Sequence, residues 1–127
     1  MSLDLTPLAL VADDDPIVRM NAVSIVEAAG FRVIEAAGAD QAHEILAVHH
    51  NTIQLLLTDV QMPPGKLNGF DLARACADRW PAIRILVASG MIRPAAGEMP
   101  ENAKFIEKPF SDDVILEYLQ GHTPSGR

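Results

Sequence analysis

The sequence is poor in several features, and each shortage excludes a class of protein. It contains one cysteine, Cys76, among 127 residues, so an internal disulfide is excluded and no Cys/His spacing typical of a zinc site is present. The first residues lack the positive charges of a secretory signal. The longest apolar runs, such as Leu8–Ala12, are far shorter than the roughly 20 residues of a membrane helix. We therefore expect a cytoplasmic protein that does not insert into a membrane.

Basic residues are also scarce. Lys and Arg total 10 against 17 Asp and Glu, which gives a net charge of −7. A protein that binds nucleic acid by neutralising phosphates needs the opposite balance, so direct binding to nucleic acid is not expected. The 49% hydrophobic content is that of a folded protein, and the length fits one domain. We expect that domain over residues 1–120, followed by a flexible tail over residues 121–127.

Short apolar stretches alternate with helical patterns along the chain. Several stretches are almost continuously apolar, which is typical of strands covered on both faces of a parallel sheet. Strands are predicted over residues 8–12, 31–36, 53–57, 83–88 and 104–107, and helices over residues 17–29, 40–49, 69–80 and 112–119. Residues 91–103 should hold a further, short or irregular helix, because prolines and a glycine interrupt them. The pattern predicts an α/β fold, a doubly wound sheet of about five parallel strands with helices on both faces.

Polar residues follow the predicted strands at their carboxyl ends, where ligands bind in such sheets. Asp13 and Asp14 follow the first strand, Asp59 the third, Ser89 the fourth and Lys108 the fifth. Clustered carboxylates repel one another unless a cation is present, and Mg²⁺ prefers such oxygen ligands. Lys108 and Ser89 could then contact a phosphoryl group. The residues therefore predict a carboxylate that accepts a phosphoryl group with the help of Mg²⁺.

The order and spacing of four short motifs strengthen this interpretation. The chain resembles the receiver domain of two-component response regulators, of the single-domain or hybrid-kinase-linked type, over about residues 8–120. The motifs are Asp13-Asp14 after the first strand, Asp59 followed by Met62-Pro63, the pair Ser89-Gly90, and Lys108-Pro109.

The resemblance implies a flavodoxin-like sheet of order 2-1-3-4-5 and a role for each matched residue. Asp59 would be the phosphoacceptor, and Ser89 and Lys108 would bind the phosphoryl group. Mg²⁺ would be held by the side chains of Asp13, Asp14 and Asp59 and by the backbone carbonyl of Gln61. The Lys108–Pro109 peptide bond would be cis and aim the lysine into the site. Phe105 would be either an aromatic ring that moves on activation or simply a packing residue of a short edge strand.

The resemblance also implies partners. A histidine kinase or phosphotransfer protein would donate the phosphoryl group, and the change at Asp59 would alter a protein-interaction surface of a monomer or weak dimer. Such a protein is not an enzyme beyond its own phosphorylation and dephosphorylation. Two departures concern this surface. Residues 59–69 are longer than the common pattern because of an insertion at Pro64-Gly65. The span from Ser89 to Lys108 is shorter than usual, and this affects an output face built on the helix between the fourth and fifth strands.

Three alternative functions share part of this pattern. The chain could be the receiver fragment of a larger hybrid kinase or regulator. A haloacid-dehalogenase-like Mg²⁺ phosphatase would have its aspartate nucleophile on the first strand, in a D-x-D pattern followed by threonine or valine, whereas Asp15 is followed here by Pro16. A flavin-binding module would need a phosphate-binding loop rich in small polar residues where this chain has three negative charges. Asp15 itself is interpreted as a helix cap.

Overall fold

Strands and helices alternate along the chain in the computed structural model, which describes residues 6–61, 67–90, 92–95 and 97–121. The element bounds agree closely with the sequence patterns. In chain order the elements are β1 Leu8–Ala12, α1 Pro16–Ala28, β2 Arg32–Ala36, α2 Ala39–His49, β3 Ile53–Asp59, α3 Gly69–Arg79, β4 Arg84–Ser89, β5 Ala103–Glu107 and α4 Asp112–Gly121.

All five strands form one parallel sheet of order β2-β1-β3-β4-β5. This confirms the predicted doubly wound fold. The direction of winding reverses between β1 and β3, because the chain first moves outward to β2 and then crosses back to β3. In open α/β sheets a ligand-binding crevice forms at this point, beyond the carboxyl ends of the strands. The topology therefore places the ends of β1 and β3 where a functional site is expected.

The helices cover both faces of the sheet. On one face, α2 and α3 bury residues such as Leu46 and Leu72 against Leu56 of β3. On the other face, α1 and α4 bury Val26 and Ile115 against the same sheet. Each such apolar side chain contributes about 1.5–3 kcal/mol when it leaves water. The sheet is thus held rigidly from both sides, which fixes the loops at its carboxyl edge.

Two predicted helix starts depend on side-chain caps. The Asp15 carboxylate accepts hydrogen bonds from the backbone N–H groups of Ile17 and Val18, so Asp15 is a cap as predicted. Asn68 caps α3 and forms a reciprocal pair of hydrogen bonds with Asp71. These bonds satisfy N–H groups that have no partner within the helix. None of the helices among the described residues combines the length and apolar character needed to cross a membrane.

The segment between β4 and β5 differs from the prediction. Its described residues, 92–95 and 97–102, contain turns but no helix. The prediction of a short or irregular helix there is therefore wrong. Pro94 and Pro100 lack the N–H that a helix needs, and Gly97 has a φ of 84°, which interrupts helical backbone geometry. A side chain of α3 holds the segment in place, since the Arg74 guanidinium donates to the Glu98 carbonyl over 2.8 Å. The insertion at Pro64-Gly65 and the tail beyond residue 121 lie outside the described residues.

Candidate functional site

Three carboxylates meet at the carboxyl edge of the sheet. Asp13 and Asp14 directly follow β1, and Asp59 is the last residue of the neighbouring strand β3. The parallel register pairs Ala12 with Thr58, so the residues that follow each of them leave the sheet side by side. One carboxylate oxygen from each aspartate lies within 4.8 Å of the others. We call these three side chains the acidic trio.

Lys108, from the loop after β5, brings a positive charge to the acidic trio. Its Nζ atom lies 3.0 Å from Asp13 Oδ2 and 3.3 Å from Asp59 Oδ1. Its backbone N–H donates to the carbonyl of Ser89 over 3.1 Å, which joins the loop to the end of β4. The Lys108–Pro109 peptide bond is cis, as the resemblance implied. The ammonium group therefore contacts two of the three carboxylates.

Asp13 is held at each of its polar atoms. Its N–H donates to the Ala36 carbonyl, and its own carbonyl accepts from the Arg19 guanidinium over 2.8 Å. Its carboxylate accepts from the Asp15 N–H at one oxygen and from Lys108 at the other, each over 3.0 Å. With its side chain only 5% exposed, Asp13 is the fixed member of the acidic trio. Sequence reasoning missed the contribution of Arg19.

Burial and charge act against each other in this site. Burial, the largest effect, raises the pKa of Asp59 above its ordinary value, and the neighbouring Asp13 charge adds to it, while Lys108 opposes both. For Lys108, burial acts to lower the pKa, but the hydrogen bond to Asp13 and the charges of both aspartates outweigh it, so the pKa is raised. Lys108 therefore stays charged, and an ionised Asp59 is more basic than an ordinary aspartate.

The acidic trio opens onto a cleft of about 400 Å³ that also contains Gln61 and Lys108 in its lining. The cleft thus brings together the three aspartates, Gln61 and Lys108. The carboxylates of the acidic trio offer only oxygen atoms as ligands, and so does the backbone carbonyl of Gln61. Mg²⁺ binds through one or two carboxylates and fills its remaining positions with water or phosphate oxygens. The donor set of the cleft fits such an ion.

Ser89 and Phe105 lie beside the cleft rather than in its lining. Ser89 ends β4, one residue beyond Ala88, which pairs with Asp59 in the sheet. It is buried, and its Oγ atom accepts a hydrogen bond from the Ile92 N–H over 3.0 Å. Phe105 is half-buried on β5 and packs against the core on the α2 and α3 side. The described geometry thus joins Ser89 directly to the segment that replaces the expected helix.

Gly69 allows α3 to begin in contact with the candidate site. A Cβ atom at this position would lie 1.9 Å from the backbone oxygen of Asp59 and 2.9 Å from the Cα atom of Val60. The Gly69 N–H also donates to the Val60 carbonyl over 2.8 Å. Sequence reasoning used Gly69 only as the start of a helix. Its position directly after the Asn68 cap was the available signal, but the close approach depends on tertiary structure.

An apolar groove of about 540 Å³ lies next to the cleft, between α1 and the loop after β5. Ile17 of α1 is 74% exposed although it is hydrophobic, and Met20, one turn further, is 65% exposed. We call this feature the α1 groove. It is lined by Ile17, Val18, Asn21, Ala22, Lys108, Pro109 and Phe110.

Comparison with known proteins agrees with this geometry. Over 65 residues, or 51% of the chain, it is 48% identical to the gliding motility regulatory protein of Myxococcus xanthus, of which it spans only 8%. Over 104 residues the chain is 33% identical to the response regulator receiver protein CpdR of Brucella abortus (strain 2308). This alignment covers 80% of the chain and 83% of CpdR.

Among solved structures, the receiver domain of the hybrid histidine kinase CckA superposes with a TM-score of 0.72 at 25% identity, over 90% of this chain and 96% of that domain. The model of the response regulator receiver domain family matches residues 9–120. This match covers both the acidic edge of the sheet and the loop that carries Lys108. The chain therefore belongs to the receiver-domain family of two-component response regulators.

Proposed function

We propose that Asp59 accepts a phosphoryl group and that this event switches a protein-interaction surface. The observation that carries the proposal is the position of Lys108, 3.0 Å from Asp13 and 3.3 Å from Asp59 at the edge of an open acidic cleft. An ammonium group in this position can contact an oxygen of a phosphoryl group carried by Asp59. Its positive charge offsets the negative charge that would accumulate there.

In the proposed reaction an Asp59 oxygen forms a bond to phosphorus. The bond from phosphorus to the donor breaks at the same centre, either to a histidine nitrogen of a donor protein or to an acetate oxygen of acetyl phosphate. The imidazole takes up a proton after it leaves, whereas acetate leaves as the anion. The raised pKa of Asp59 supports this role, because an ionised carboxylate of higher basicity is a stronger nucleophile. Beyond its own phosphorylation and dephosphorylation, no further catalysis is proposed.

Asp13, Asp14, Asp59 and the backbone carbonyl of Gln61 would hold Mg²⁺. When bound, the ion neutralises charge on the carboxylates and on the oxygens of the transferring group. Asp13 is fixed by its neighbours, while Asp14 is exposed and can adjust. Lys108 would contact a phosphoryl oxygen that the ion does not bind.

Ser89 would transmit the event to the surface. Its hydroxyl now accepts from the Ile92 N–H, and it ends the strand next to Asp59. In the proposed switch the Ser89 side chain rotates so that its hydroxyl donates to a phosphoryl oxygen, and this rotation moves Oγ away from the Ile92 N–H and releases the backbone that begins there. Phe105 packs against the same side of the core and would change its ring position with the segment.

The α1 groove supports a protein as phosphoryl donor. Exposed Ile17 and the rest of the α1 groove offer an apolar surface next to the cleft, and a histidine kinase or phosphotransfer protein could bury this surface while its histidine reaches Asp59. We propose a monomer or weak dimer located in the cytoplasm. The chain can act alone or as the receiver of a longer hybrid kinase or regulator, and its downstream target is a protein.

The test is the intact mass after incubation with acetyl phosphate, with and without Mg²⁺. The wild type should gain the mass of one phosphoryl group only with Mg²⁺, and Asp59→Asn should gain none. Asp78→Asn is the matched control, because it removes an exposed carboxylate of α3 that is not part of the cleft. A wild type without any gain, or a gain that persists in Asp59→Asn, would contradict the proposal.

A further inference from the structure

The Arg19 side chain joins two parts of the structure behind the acidic trio. From the first turns of α1, its Nη1 atom donates to the Asp13 carbonyl over 2.8 Å, and its Nε atom donates to Glu35 Oε1 over 2.9 Å. Glu35 lies near the end of β2, the strand next to β1. The Arg19 side chain is only 19% exposed, whereas that of Glu35 is 53% exposed. The guanidinium is therefore held between α1 and β2.

The carbonyl that Arg19 contacts belongs to the peptide group between Asp13 and Asp14. The orientation of this one peptide plane sets the direction in which both carboxylates leave β1. A guanidinium is planar and its donors have a fixed geometry, so two simultaneous hydrogen bonds define the position of the carbonyl. An ammonium group cannot make the same pair of contacts in the same fixed geometry.

Glu35 gives this arrangement a second property. A positive charge next to the Asp13 backbone would on its own weaken the binding of a cation by the acidic trio. The Glu35 carboxylate is hydrogen-bonded to Arg19 and offsets its charge. The pair can therefore hold the backbone of Asp13 without a net charge of its own.

We propose that Arg19, together with Glu35, is a positioning residue that orients the Asp13–Asp14 peptide for cation binding. Neither side chain touches the cation or the phosphoryl group. The inference rests on the proposed function, because it assigns Arg19 to the support of the residues that would hold Mg²⁺.

The first test uses the double variant Arg19→Met with Glu35→Gln, which removes one positive and one negative charge and so leaves the net charge unchanged. Backbone amide NMR during a titration with MgCl₂ should show a half-saturating concentration raised by about 10-fold or more, as is typical when an outer partner of a metal ligand is lost. The rate of phosphorylation by acetyl phosphate at saturating Mg²⁺ should also fall. Without any metal, the Asp15 amide, which donates to Asp13, should exchange its hydrogen faster than in the wild type.

Arg74→Met is the matched control. Arg74 also donates from a helix to a backbone carbonyl and to a carboxylate, those of Glu98 and Asp71, but it does not line the cleft. This variant should lose a similar amount of stability while its Mg²⁺ titration and its Asp15 amide exchange stay as in the wild type. If Arg74→Met raises the half-saturating Mg²⁺ concentration equally, general destabilisation explains the effect and the inference is overturned.

Arg19→Lys keeps the charge and replaces the fork by one ammonium, so it tests the inference even if the double variant does not fold. Arg19→Lys should bind Mg²⁺ more weakly than the wild type. If it binds Mg²⁺ as tightly as the wild type, the role assigned to the planar guanidinium of Arg19 is overturned. Failure of the two proposals is distinguishable. A wild type that is not phosphorylated refutes the proposed function. If the wild type is phosphorylated and the double variant equals it in Mg²⁺ binding and in the rate of phosphorylation, only the inference about Arg19 is refuted.

Discussion

Gly69→Ala should damage the site without touching any of its side chains. The added Cβ atom would lie 1.9 Å from the backbone oxygen of Asp59, although real Cβ atoms essentially never come closer than 3.0 Å to another heavy atom. The start of α3 or the end of β3 must therefore move by about an ångström, because the obstructing atoms belong to the backbone and cannot rotate away. The move also stretches the hydrogen bond from Gly69 to the Val60 carbonyl.

The expected cost follows from that displacement. Overpacking of this kind lowers the free energy of unfolding by about 1–3 kcal/mol. A misplacement of about 1 Å in a group that must meet its reactant in line can slow a reaction by about 100-fold. We therefore expect Gly69→Ala to unfold at lower urea concentration and to be phosphorylated by acetyl phosphate up to about 100-fold more slowly than the wild type.

The sign of the effect makes this prediction sharp. An alanine without a clash normally stabilises a helix by about 0.5–1 kcal/mol relative to glycine. Gly38→Ala is the control, because nothing lies within 4 Å of a Cβ atom at that helix cap. It should cost no more than about 1 kcal/mol through the weaker cap and leave phosphorylation unchanged. A Gly69→Ala variant as stable and as reactive as the wild type would refute the described contact between α3 and Asp59.

Three further predictions concern the core, the thiol and the α1 groove. Tyr118→Phe should lower the free energy of unfolding by about 1–3 kcal/mol in urea titrations, because the hydroxyl accepts from the buried N–H of Ile85 and donates to the Asn102 carbonyl; an unchanged midpoint would contradict these bonds. Burial raises the pKa of the Cys76 thiol to about 12, so its contribution to stability is complete below the ordinary thiol pKa of about 8.5 and declines at higher pH, where the unfolded chain ionises first. Urea midpoints measured up to pH 10 should decline more steeply in the wild type than in Cys76→Ala, which keeps only the smaller decline due to groups such as Tyr118, and parallel curves would exclude a contribution from the thiol. Ile17→Asp should slow transfer from a purified phosphotransfer protein that phosphorylates the wild type by about 10-fold, and equal rates for both chains would exclude the α1 groove as the docking surface.

The direct control for the last variant is acetyl phosphate. A small donor does not need a docking surface, so Ile17→Asp should react with it at the wild-type rate. A loss with both donors would show that the substitution disturbs the cleft itself, which lies against the same helix.

The order of the elements could be predicted because this sheet is covered on both faces. Strands of that kind are continuously apolar, and the helices between them begin at polar caps such as Asp15 and Asn68. The apolar run of residues 53–57 marks only part of β3, which continues through Thr58 and Asp59. Polar residues extend this strand because its neighbours β1 and β4 supply backbone partners, and a single stretch of sequence does not show those partners.

The meeting of the acidic trio with Lys108 could also be predicted, because the carboxyl ends of parallel strands share one edge. The supporting residues could not. Arg19 and Gly69 act through distances between elements, and neither residue type is unusual at the start of a helix. The segment after Ser89 was predicted wrongly for a different reason. A helix was expected from the alternation of elements, but Pro94 and Pro100 exclude regular helical hydrogen bonding there.

The turn that contains Gly97 has a practical consequence for protein engineering. Gly97 adopts a φ of 84° with no atom within 4 Å of a Cβ position, so the chain there faces open solvent. Exposed turns of this kind tolerate inserted sequence. The same segment begins at Ile92, whose N–H is bound by the Ser89 hydroxyl. If the proposed movement of Ser89 occurs, a fluorescent reporter inserted at Gly97 would lie in the segment that the movement releases and would convert the domain into a sensor of its own phosphorylation.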